Sequence, residues 1–267
     1  LSDRGVDAEN AFVPSLLATG AVHHRLIRQQ TRTQLDIVVE SGEPREVHHF
    51  ACLFGYGASA VNPYLALETL AGIREAPAAL NEPGIPEQTK AEHNYCKAVE
   101  KGVLKVMSKM GISTLQGYVG AQIFEALGLD QQFVDENFTW TASRIGGIGA
   151  DEVCEDVLAN HARAYPEMDI PANLTLDLGG LYLWRGTGER HMWNPETIAL
   201  LQDAVGRNDP QTFAQFEQEA DAEAGGHITV RGLLDFDHDP QKEIPLDQVE
   251  PATQIVKRFT SGAISLG

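Results

Sequence analysis

Two histidine pairs, His23-His24 and His48-His49, are the residues whose type best suits metal binding or proton transfer. Their spacing argues against a shared ion, because neighbouring helical residues point about 100° apart. No HExxH, Cys/His metal spacing or facial triad accompanies them. They read as hydrogen-bonded core or interface histidines. Gly146-Gly147-Ile148-Gly149 is a second candidate, since a glycine loop ahead of a helix can hold an anion on its amides. Here the expected cap, Asp151, would itself repel phosphate, and no strand is expected before the loop as a dinucleotide fingerprint needs. A plain turn is the expectation. Arg144, Arg185 and Arg190 are scarce cations in an acidic half, and Trp184 and Trp193 lie close to the last two. Such neighbours suit cation–π stacking or a bidentate carboxylate contact, with buried structural ion pairs the default. Cys52, Cys96 and Cys154 lie far apart and form no CxxC, which points to a reducing, cytoplasmic setting. No GxSxG, P-loop or Cys-His triad is present.

The elements that must position these residues alternate at first between helix and strand. Phe12, Leu16, Leu17, Val22, Leu26 and Ile27 recur at helical spacing and predict a helix over 11–32, with Pro14 in its first turn. Residues 35–40 are β-branched and end at Ser41-Gly42-Glu43-Pro44, which predicts a strand. A helix is expected over 46–53, a glycine turn over 55–58, and a further helix opened by Asn62-Pro63. This alternation implies an open parallel α/β sheet.

The stretch from Glu75 to Pro86, with Pro77, Pro83, Gly84 and Pro86, is the best candidate boundary. Beyond it the pattern is helical. A helix is predicted over 87–110, with Lys97, Lys101, Lys105 and Lys109 in one basic row. Others are predicted over 113–128, 152–165, 197–205, 210–224 and 251–259. Residues 261–265 close the sequence as an expected strand. Both ends read as cuts through continuing structure.

The chain has 267 residues, 43% of them hydrophobic, and a net charge of −18. That is globular composition with no apolar run long enough for a membrane helix. Residues 151–250 hold 21 Asp and Glu against 6 Lys and Arg, so they carry −15 of the total. Such acidity disfavours nucleic-acid binding. It fits a solvated surface or a face for a basic partner.

Long, specific runs carry the reading further. EVHHFACLFGYGASAVNPYLALE, KVMSKMGISTLQ, TASRIGGIG, WNPETIALLQDAV and VEPATQIVKRFTSGAISLG resemble the large subunit of glutamate synthase. The resemblance covers nearly the whole chain. It implies an enzyme that converts L-glutamine, 2-oxoglutarate and reductant into two L-glutamates. It also implies ammonia passing between an amidotransferase site and an FMN-binding synthase barrel that carries an iron–sulfur cluster. The electron donor would be ferredoxin or a nicotinamide-dependent small subunit.

By this resemblance residues 1–76 are the C-terminal part of the central α/β domain. Residues 77–267 are the helical lead-in to the synthase (β/α) barrel. The amidotransferase cysteine and the iron–sulfur ligands are absent here. The strand GAISLG matches the first barrel strand, which makes Ala263, Ile264 and Ser265 the candidate FMN contacts. Ile264 replaces the family's usual Met, Trp140 its usual Gly and Gly117 its usual Ser. The expected role is a scaffold segment that supports the barrel and the ammonia route without a complete active site. The alternative is a stand-alone acidic binding or assembly module.

Overall fold

The computed structural model describes residues 1–75, 88–166, 179–223, 225 and 229–259. The chain divides into two compact units, Leu1–Ala172 and Asn173–Gly267.

The first unit is built from two parallel strand pairs and the helices packed on them. Helix α1 spans Ser15–Arg28 and strand β1 spans Ile37–Glu40. Helix α2, Val47–Gly55, crosses over to β2, Ala58–Asn62, which pairs parallel to β1 in the register Val38↔Ala60 and Val39↔Val61. The strand β2 lies where the sequence predicts only a glycine turn and a helix cap. Ala58-Ser59-Ala60 has weak strand preference, so its state is set by the β1 edge rather than by its own residues. Helix α3 follows at Tyr64–Glu75 and α4 at Gln88–Met110. The expected proline-rich boundary, Glu75 to Pro86, lies outside the described residues from residue 76 onward.

Beyond α4 the helix predicted over 113–128 gives way to something else. Thr114, not Ser113, caps a single turn, α5 (Leu115–Tyr118), by accepting from Gly117 N–H. The chain then forms β3, Glu125–Leu129, which pairs parallel to β4, Ala142–Ile148. Helix α6, Gln131–Asn137, connects them and is capped by the Asp130 carboxylate. The glycines of the predicted turn at 146–149 therefore lie in and just after a strand. A Cβ on Gly147 would collide with the Gly128 backbone, so the two strands approach where only glycine fits. Helix α7, Ala150–Ala164, starts from Gly149 as its cap, and Glu152 Oε2 accepts from Gly149 N–H at 2.8 Å. Asp151 sits in the first turn instead of at the cap.

Three apolar clusters hold this unit. Ile37, Val39, Leu53 and Ala58 pack under α1. Phe133, Val134 and Phe138 of the α6 region meet Leu16, Leu17 and Tyr56. Phe50 and Ala51 of α2 join Val103 and Met107 of α4 and the fully buried Tyr118. That third cluster joins residues on the two sides of 76–87 in one core.

The second unit holds α8, Pro195–Arg207, α9, Pro210–Glu223, and the short α10, Ala252–Val256. The α8 start is as predicted: Asn194 Oδ1 accepts from Glu196 and Thr197 N–H, and Pro195 takes the first helical position. Between α9 and α10 the described chain makes only short 3₁₀ turns, such as Pro240–Lys242 and Leu246–Gln248.

Candidate functional site

Parallel α/β sheets place their clefts beyond the carboxyl ends of the strands. Here that end collects Ser2-Asp3-Arg4, which bridges to β1 through Ser2↔Glu40, the Ser41-Gly42-Glu43 turn and Tyr64. Of these, Asp3, Arg4, Gly42, Glu43 and Tyr64 line a cleft of about 690 Å³ together with His48, His49 and Cys52 of α2.

The polar groups in and beside this cleft are bonded to one another. Asp3 accepts from Ser41 Oγ at 2.6 Å and from Gly42 N–H at 3.0 Å. Glu40 accepts from Ser2 Oγ and Arg4 Nε, both at 2.8 Å. The hydrogen bond from Arg4 holds the Glu40 carboxyl below its ordinary value and raises the guanidinium above its own. That guanidinium lies 4.0 Å from the Tyr64 ring centroid. Glu43 accepts from Ser15 N–H at 2.5 Å, satisfying an open amide at the start of α1. The carboxylates thus fasten the first residues, the strand ends and α1 together. None of this network is visible in sequence spacing, because its partners lie 28 to 39 residues apart.

The second histidine pair flanks this cleft. The Glu46 carboxylate caps α2 by accepting from His48 N–H, and His49 Nδ1 accepts from Arg45 N–H at 3.2 Å. His48 Nε2 and Cys52 Sγ, one helical turn apart, approach to 3.6 Å. A Cys–His pair could act as nucleophile and base. Here burial, and then the Glu46 charge, push the thiol up to about 11, so it stays protonated at neutral pH.

In the first pair His23 is held by hydrogen bonds as expected, whereas His24 Nε2 is buried with no hydrogen-bond partner among the described residues. Arg32 Nε donates to His23 Nδ1 at 2.9 Å, and the same guanidinium donates to the carbonyls of Leu35 and Gly57. Burial, the His24 ring and the Arg32 charge lower His23 to about 4, so it is neutral. Gly57, at φ 117°, packs so close to this ring that no Cβ fits.

The remaining candidates separate. Arg190 pairs with Glu223 at 2.7 Å on the surface, not in a buried pair, and Trp193 stacks on Phe216. Arg144 is exposed and lies 3.7 Å from Glu125. Neither Arg185 nor Arg190 stacks on a tryptophan among the described residues. The row Lys97, Lys101, Lys105 and Lys109 is solvent-exposed. Ala263, Ile264 and Ser265 lie outside the described residues.

No group of three or more His, Cys, Asp or Glu among the described residues could hold a metal ion. The residues present do not fit an iron–sulfur cluster. No helix among them is long and apolar enough to cross a membrane.

The fold and cleft define a parallel α/β segment in which the Asp3, Glu40 and Glu43 carboxylates fasten neighbouring elements together. Comparison gives the family. Residues 1–130 match the family described as glutamate synthase central domain. All of the chain is 47% identical to part of the NADH glutamate synthase of Schizosaccharomyces pombe and 45% identical to part of the NADPH glutamate synthase large chain of Bacillus subtilis. It is 42% identical over its full length to part of the ferredoxin-dependent chloroplastic enzyme of Spinacia oleracea. The chain belongs to the glutamate synthase family, and it spans only 12%, 17% and 16% of these three relatives.

Proposed function

We propose that this chain is a scaffold segment of a glutamate synthase, supporting the synthase barrel and the ammonia route without a complete active site. The observation that carries the reading is full-length identity to a small fraction of each relative. The cleft agrees with it, since its carboxylates are occupied by structural hydrogen bonds and its cysteine is held as a thiol. The parent would form glutamate from glutamine and 2-oxoglutarate with FMN and an iron–sulfur cluster, the cluster's ligands lying elsewhere in the polypeptide. Relatives named for NADH, NADPH and ferredoxin leave the donor to be read from the parent enzyme.

Purified residues 1–267 should form no glutamate and release no ammonia from glutamine. Turnover abolished by a substitution inside the segment would overturn the reading. The border between central and synthase parts is proposed at residues 76/77. Limited proteolysis that separates stable fragments there supports it, and a stable fragment running through to about residue 130 places the border where the family match ends.

Ala263, Ile264 and Ser265 are proposed to lie against the flavin in the parent, by resemblance to the family's first barrel strand. Ala263→Leu should overpack that contact at about 1–3 kcal/mol, roughly a 5- to 150-fold loss of FMN affinity. Unchanged affinity in a flavin titration of the folded parent would make the strand structural only.

A further inference from the structure

Strand β1 has β2 along one edge. Along its other edge run the first residues of the chain. The Leu1 amine donates to the Val38 carbonyl at 2.8 Å, Glu40 N–H donates to the Leu1 carbonyl at 2.8 Å, and Asp3 N–H donates to the Glu40 carbonyl at 3.2 Å. Ser2 is thereby the parallel partner of Glu40. Bonds that pass in turn from one strand to the other and back form the ladder of a parallel pair. The Leu1 nitrogen stands where that ladder has an amide.

The same geometry sets the course of a chain entering Leu1. A trans peptide holds its C=O opposite its N–H, so a peptide whose N–H meets the Val38 carbonyl sends its own carbonyl away from β1. The carbonyl one residue further back then turns toward β1. Val38 N–H lies on the same edge as the Val38 carbonyl and meets it there. Val38 is in this way the register partner of the residue immediately before Leu1, as Glu40 is of Ser2.

The helices supply an observation independent of these bonds. Parallel neighbours must be joined by a crossover, usually a helix. Helix α2 makes that crossover between β1 and β2. Helix α1 lies between residues 1–3 and β1 in the chain, and its Leu16, Val22 and Leu26 pack against the cluster that holds Ile37 and Val39. It stands to β1 and the strand in front of it as α2 stands to β2 and β1.

We propose that the residues immediately before Leu1 in the parent polypeptide add a third parallel strand to this sheet, in the order entering strand, β1, β2. The upstream region then joins this unit through a strand and not through a free linker. This rests on the reading of the chain as a glutamate synthase segment. The carboxyl end of the entering strand is Asp3-Arg4, whose side chains bond to Ser41 and Glu40 at the carboxyl end of β1. The cleft therefore lies beyond three parallel strands, one of them delivered from upstream.

The test uses the full-length parent. Register partners on neighbouring strands lie about 5 Å apart, within reach of a disulfide. A cysteine immediately before Leu1 combined with Val38→Cys should give a linked peptide on oxidation. Its yield should be severalfold higher than with a cysteine one position further back, whose side chain lies on the opposite face from that of residue 38. Equal yields, the reverse order, or no link in either variant would overturn the proposal. Residue-resolved hydrogen exchange reads the unsubstituted parent: the Val38 amide should be protected like that of Glu40, and exchange at the rate of an unstructured chain would overturn it. A parent mass of only 29.1 kDa defeats the segment reading. A longer polypeptide whose Val38 amide stays open defeats the third strand alone.

Discussion

The two compact units differ in how they close their own cores. Leu1–Ala172 buries Leu53, Val39, Val134 and Tyr118 almost completely. In Asn173–Gly267 the described buried residues are Thr197 and Ala204, while Phe236 and Leu246 are 83% and 87% exposed. Apolar burial is the main favourable term in folding, so the first unit carries the means of its own stability. The second does so to a much smaller extent. Among the described residues the contrast is one of apolar burial, dense in the first unit and sparse in the second.

The largest test of that contrast is truncation in the two units. Leu53→Ala should destabilise the first unit by about 2–5 kcal/mol. Leu246→Ala, on an open side chain, should stay within about 0.5 kcal/mol in residues 1–267. Chemical denaturation reads both, and similar losses would erase the distinction.

A smaller effect is expected with pH. His23 is held at about 4 in the fold, below its ordinary 6.5, so the unfolded chain binds more protons between those values. Stability of the first unit should therefore be full above pH 6.5 and fall as the pH drops toward 4, by on the order of 2 kcal/mol. His23→Gln should flatten that slope. A slope that survives the substitution would move its origin to other groups.

Tyr118→Phe comes next. It removes the buried hydroxyl that donates to the Ala51 carbonyl at 3.0 Å, and should cost about 1–2 kcal/mol. The smallest effect expected is a gain: Trp140→Gly should relieve a left-handed φ and stabilise residues 1–267 by about 1 kcal/mol. A loss on thermal unfolding would mean that the indole contributes within the segment itself.

How much of this was legible in the sequence depends on the range of the interactions involved. The starts of α8 and α9 were readable at Asn194-Pro195 and Asp209-Pro210, because a cap and its helix lie within three residues. Strand β3 was not. Glu-Ala-Leu-Gly-Leu reads as helix by composition, and it becomes a strand through pairing with β4, 17 residues away at Glu125↔Ala142. Gly147 was misread for the same reason, since its need for a bare backbone comes from Gly128 across the sheet. The Asp3–Ser41 and Glu43–Ser15 bonds needed the fold to bring their partners together. The family was legible from its long runs, and the flavin contact at Ala263–Ser265 rests on resemblance alone.

The central claim is that residues 1–267 work as part of a glutamate synthase polypeptide. Intact mass spectrometry of the endogenous protein that contains them tests it most directly. The account predicts a chain several times heavier than 29.1 kDa, in keeping with relatives of which this segment forms 12% to 17%. A free, stable polypeptide of 29.1 kDa would contradict it and would favour a stand-alone acidic module instead.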